Sequence, residues 1–147
     1  MNKKYLSKII AKDREGLQII SAYCAGAEIK VSDIKYLKKN KVFLLSITRS
    51  TIEKKNKSKK INSVCKFEFV DSVKSKNIKQ ENFEQKLKLI AMDYLKKGGS
   101  FDINLIFSNN AYITLSTEII EVTLDDQNEI TRWLKYWIIK LRTLIQS

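Results

Sequence analysis

Two stretches of period-two alternation, joined by a lysine-rich connection, place the tightest constraint on how this 147-residue chain can fold. Residues 41–53 (KVFLLSITRSTIE) and 61–73 (INSVCKFEFVDSV) flank a segment containing Lys54, Lys55, Lys57, Lys59 and Lys60. In the second flank Cys65, Phe67 and Phe69 alternate with Lys66 and Glu68. Successive strand side chains point to opposite faces, so this pattern predicts antiparallel sheet with one face buried. The densest basic cluster of the chain then falls at the tip of a hairpin.

Taken in order, residues 4–11 (KYLSKIIA) read as a first strand. Asp13 is a good N-cap, and Leu17, Ile20 and Cys24 recur at helical spacing behind it. Gly16 weakens the first turn of that helix and Gly26 suits its end. Residues 27–37 read as one strand, with Ile29, Val31 and Leu37 on one face and Ile34 and Tyr36 on the other. Residues 38–41 form a polar turn, 42–52 and 61–73 are strands, and 74–85 is a polar surface connection. Residues 86–94 alternate again, residues 97–100 (KGGS) are a turn, and 101–107 is a strand. Asn109-Asn110 suits a tight hairpin with positive φ. The return strand carries Ile113 and Leu115, then changes phase to Ile120, Val122 and Leu124. Such a shift predicts a β-bulge, or a bend into a second sheet.

From Asp126 the period becomes helical. Asp126 and Glu129 have capping-box spacing, and Ile130, Trp133, Leu134, Trp137, Ile138, Leu141 and Ile145 share one face. The expected fold is α+β: mainly an antiparallel β roll or partly open barrel, with a short N-terminal helix and a C-terminal amphipathic helix. That element order is pleckstrin-homology-like. We expect one domain over 1–147, with a β-rich body at about 4–124 and the last helix at about 127–145.

Chemistry is constrained mainly by what is missing. There is no histidine, so the commonest general base is excluded. Cys24 and Cys65 are 41 positions apart with no metal-ligand spacing, and read as buried thiols. Ser32 and Lys35 have Ser-x-x-Lys spacing, but no oxyanion loop accompanies them. The residues around Gly98-Gly99 lack a phosphate-cradling pattern. Asp93, Asp102, Glu118 and Glu121 could converge, although alternation sends most of them to solvent. The expectation is a non-enzymatic protein without cofactor or metal. No apolar run approaches the ~20 residues of a membrane span, and the first residues lack a signal-peptide core, so a cytoplasmic setting is expected.

The net charge of +12 comes from 24 lysines and only 4 arginines, beside 20 isoleucines, 10 asparagines and no proline. Lys, Asn and Ile have A/T-rich codons, so a biased genome yields this composition without a polyanion partner. Arginine, the residue of bidentate phosphate recognition, is scarce. The expected function is an interaction module for an unidentified protein partner or a second copy. Its alternative is binding of nucleic acid or an anionic lipid surface. Lys54, Lys55, Lys57, Lys59 and Lys60 are the candidate anion-binding residues. Trp133, Trp137 and Ile138 are the candidate partner or oligomer face, if the sheet does not bury them.

The run DREGLQIISAYCAGA followed by EIKVSDIKYLKKNKVFLLSITR resembles a small alphaproteobacterial family of domains of unknown function. That family opens with an Asp-x-x-x-Leu helix ending in Ser-Ala, here Asp13, Leu17, Ser21 and Ala22. A hairpin follows whose second strand carries Phe and ends at Arg, here Phe43 and Arg49. The resemblance covers roughly residues 5–127. The chain departs from it at Ala25-Gly26, where the family has Gln-Asp, and at Asn109-Asn110-Ala111, where the family has a glycine-rich turn. The resemblance implies an identity and no activity.

Overall fold

A computed structural model describes residues 8–52 and 58–127. β1 (Lys8–Ala11) leads into α1 (Arg14–Cys24), followed by β2 (Glu28–Lys30) and β3 (Ile34–Leu37). Then come β4 (Val42–Ile52), β5 (Ser58–Phe67), β6 (Val70–Lys76) and β7 (Lys86–Lys97). β8 (Ser100–Phe107), β9 (Tyr112–Thr117) and β10 (Val122–Gln127) complete the series. Every strand pairing is antiparallel, in the order β1-β10-β5-β4-β2-β7-β8-β9-β6, with β3 beside β4. The sheet is open: β1 and β6 end the path without pairing with each other.

The inner face of the sheet buries one contiguous core, β1, β10, β5 and β4 lining one half and β7, β8, β9 and β6 the other. Phe43, Leu45 and Ile47 of β4 belong to one buried cluster with Cys65 and Phe67 of β5, Val122 and Leu124 of β10, and Leu105 and Phe107 of β8. Phe43 and Phe67 pack edge to face with centroids 6.0 Å apart, a contact worth about 0.5–1.5 kcal/mol beyond its area. α1 lies over β7, burying Leu17, Ile20 and Cys24. Its N-terminus is fixed by Asp13, whose carboxylate accepts from the Gly16 amide at 2.7 Å. Gly16 has a reason of its own, since a Cβ there would meet Ala11 of β1 at 3.0 Å.

The structure corrects several boundaries. Residues 27–37 are two strands rather than one, because a turn of 3-10 helix at Val31–Asp33 interrupts them. β2 is therefore shared between β4 and β7, whereas β3 pairs with β4. The expected strand 61–73 is divided at Phe69, which has φ of 60° and is 40% exposed instead of buried. β5 pairs with β4 and β10, and β6 crosses to β9. The phase change after Leu115 is a bend and not a bulge: β9 pairs with β8 and β6, and β10 with β5 and β1. Bulges occur instead at Leu89/Ala91 and Val70/Ser72. The Asn109-Asn110 turn has φ of 61° and 57°, as the hairpin chemistry requires. Asp126, read as a helix cap, is a strand residue of β10. The C-terminal helix expected at about 127–145 lies outside the described residues beyond Gln127. Among the described residues no helix is long and apolar enough to cross a membrane.

Candidate functional site

Arg49 is in phase with Phe43, Leu45 and Ile47, so the pleat that buries those residues also buries a guanidinium. Ser63 lies beside Ile47 on β5 and Asp126 beside Ser63 on β10, so all three polar side chains converge on the inner face. Arg49 Nε donates to Asp126 Oδ1 at 3.0 Å and to Ser63 Oγ at 3.2 Å, and Arg49 Nη2 donates to Asp126 Oδ2. Ser63 Oγ donates to Asp126 Oδ1 at 2.5 Å. The Tyr23 ring of α1 lies 5.3 Å from the guanidinium carbon. A buried carboxylate needs this bidentate pairing and the added hydroxyl to offset desolvation. Each member bonds to the other two and none is more than 5% exposed, which suits a structural lock.

On the opposite face of the same strands, Thr48, Asn62 and Gln127 form a cross-strand row. Thr48 Oγ1 donates to Asn62 Oδ1 at 3.1 Å. With Asp33, Ser46 and Val64 they line a small hollow of about 20 Å³, room for little more than a water molecule. Gln127 is only 4% exposed. Its amide donates to the Asp125 carbonyl at 3.1 Å, and its Oε1 has no partner.

At the corner where β5 passes to β6, the Glu68 amide donates to the Glu121 carbonyl at 3.0 Å. A hydrogen bond between the two carboxyls raises the Glu121 pKa and lowers that of Glu68. Lys12 and Lys66 pair with Glu121 and Glu68 at 3.8 and 3.2 Å. The other carboxylates considered for a site do not gather. Asp93 pairs with Arg14 and Asp102 with Lys97, each at 2.9 Å. The Lys97 hydrogen bond holds the Asp102 carboxyl below its ordinary pKa, with help from Ser116 and against burial.

Cys24 and Cys65 are free, buried thiols in the core. Burial, then a hydrogen bond with Cys24, pushes the Cys65 thiol well above its ordinary pKa, away from the thiolate a nucleophile requires. Ser32 sits in the 3-10 turn and Lys35 is exposed on β3. Of the basic cluster, Lys59 and Lys60 are exposed at the start of β5, opposite Thr51 and Ser50. Lys54, Lys55 and Lys57 lie outside the described residues, as do Trp133, Trp137 and Ile138. Sequence reasoning named Arg49 only through the family pattern and missed Ser63 and Asp126. The in-phase position of Arg49 among apolar neighbours was the signal that could have found the cluster.

A family model described as "Protein of unknown function (DUF2948)" matches residues 7–134. No curated protein and no solved structure matches the chain.

Proposed function

Because the chain belongs to the DUF2948 family of proteins of unknown function, we propose from its geometry that it is a non-enzymatic interaction module. One observation carries this reading. The two thiols and the Arg49–Ser63–Asp126 cluster are buried in the core, whereas the sheet displays lysines that make no ion pair. Lys35, Lys74, Lys76, Lys79, Lys88 and Lys96 are exposed, and none is ion-paired, although five other lysines are. The described residues hold 17 lysines and 2 arginines against 14 carboxylates, and thus contribute +5 of the total +12. A surplus of this kind supports the second reading, a polyanion partner.

Titration with single-stranded and duplex nucleic acid and with acidic vesicles, at low and then rising salt, separates the two. Salt-sensitive binding supports the polyanion. Silence towards all three at low salt removes it and leaves a protein partner or a second copy, met through the part of the Trp133, Trp137 and Ile138 face that the sheet leaves uncovered. We place the module in the cytoplasm, where its two thiols stay reduced; recovery from an oxidising compartment would refute that. We also infer that the segment after Gln127 is an amphipathic helix that closes the open sheet in pleckstrin-homology-like fashion. Deleting residues 129–147 then leaves an aggregating or molten domain, whereas a soluble truncation with a cooperative melt would refute the helix.

A further inference from the structure

The half-sheet β7-β8-β9-β6 turns one face to the core and the other to solvent. On the solvent face the register aligns side chains in rows that cross all four strands. Ala91, Ile106, Tyr112 and Lys76 form one row, with Ile90 of the β7 bulge beside it. Asp93, Asn104, Thr114 and Lys74 form the next. The first row is the apolar one, and the described residues leave it exposed: Ile90 is 54% exposed, Ile106 37% and Tyr112 38%.

The charge of this face is one-sided once its ion pairs are counted. Asp93 is held by Arg14, and Asp102, one row further, by Lys97. Lys74, Lys76 and Lys88 make no ion pair, although Lys74 lies near enough to Asp102 to help lower its pKa. Lys76 Nζ lies 6.0 Å from the Tyr112 ring centroid. Lys88 stands on β7, three strand spacings or about 14 Å from β6. The exposed carboxylate bordering this end is Glu28, opposite Lys88 on β2.

We propose that this face binds single-stranded nucleic acid, with a base stacked on Tyr112 beside Ile106 and with Lys74, Lys76 and Lys88 holding phosphates. An open sheet face with an exposed ring and flanking cations matches what unpaired bases require, a π-surface and an electrostatic track. Asn104 and Thr114, bonded to each other at 2.9 Å, keep polar groups within the pleat for base edges. A duplex hides its base faces and asks for an element that enters a groove, which the broad face of a four-stranded sheet does not supply. A lipid surface would draw on Ile90 and Leu95, 54% and 58% exposed on the same face, rather than on the Tyr112 ring, and the vesicles in the test below tell the two apart.

The proposal rests on the polyanion reading, and its test separates the two. Fluorescence anisotropy is measured with labelled oligothymidylate and oligouridylate, a duplex of equal length and phosphatidylserine vesicles. Single strands should bind more tightly than the duplex. Tyr112→Ala should weaken them about tenfold and Tyr112→Phe should restore them, because stacking needs the ring and not the hydroxyl. The double variant Lys74→Gln/Lys76→Gln should flatten the slope of log affinity against log salt by about 1.4, two phosphate contacts. Circular dichroism melts confirm that each variant is folded. Preference for duplex or vesicles, or single-strand binding indifferent to these variants, overturns this site and leaves the polyanion reading standing. No binding to any polyanion overturns both.

Discussion

At the residue scale, the Arg49–Asp126 pair shows what alternation can and cannot reveal. The phase of Arg49 within FLLSITR announces burial, but its partner lies 77 residues away on a strand whose end resembled a helix cap. Period-two patterns report a face and say nothing about the neighbour on that face. Removing one member of a buried pair strands the other without solvent. Arg49→Met should therefore lower stability by about 3–5 kcal/mol in urea denaturation, and Arg49→Met/Asp126→Leu should recover most of that loss. A single substitution costing under about 1 kcal/mol would show that the pair is no lock. Asp102 gives a pH signature. Its folded pKa is depressed, so its contribution is complete above the ordinary carboxylate value of 3.8 and fades as pH falls below it. The melting temperatures of wild type and Asp102→Asn should thus differ at neutral pH and converge in acid; a gap that widens in acid contradicts the assignment.

At the scale of elements, α1, the hairpin turns and most strands were legible because each is set locally: by Asp13 as a cap, by helical spacing, and by Asn-Asn and Gly-Gly at turns. Partner choice was not. Glu68-Phe69 looked like the continuation of a strand, yet Phe67 and Val70 are both buried and three apart, which a continuous strand cannot satisfy. The positive φ of Phe69 absorbs the slip and sends β6 to β9. The equivalent slip after Leu115 was visible because the apolar residues on both sides were plainer. The β8–β9 turn offers a direct test of local control. Asn110 sits at φ 57°, where a Cβ is unfavourable but Asn is tolerated and glycine is free. Asn110→Ala should cost about 1 kcal/mol and Asn110→Gly should be neutral or slightly stabilising. Equal melting temperatures for the two variants would mean the turn does not hold this conformation in solution.

For the molecule as a whole, strand order predicts which parts open first. β5 is hydrogen-bonded on one side to β4 and on the other to β10, and β8 lies between β7 and β9. Among the described residues β6 is strand-paired only with β9, and its other side is tied down at its first two residues. There the Val70 amide donates to the Lys41 carbonyl at 2.8 Å and Tyr36 donates to the Val70 carbonyl at 2.9 Å. Lys41 and Asp71 add an ion pair at 3.0 Å on the same corner. Local opening scales with the contacts that must be broken, so an edge strand held at one end should fray from the other. Amide hydrogen exchange should be slowest in β5 and β8, and fast at Lys74 to Lys76. Because both halves of the sheet line one core, the slow amides of the two halves should exchange with the same free energy. Two separate classes would mean that the halves unfold independently. Protection of Lys74 to Lys76 equal to that of β5 would mean that the sheet closes against β6. The cationic face proposed for nucleic acid would then end at a paired strand instead of an open edge.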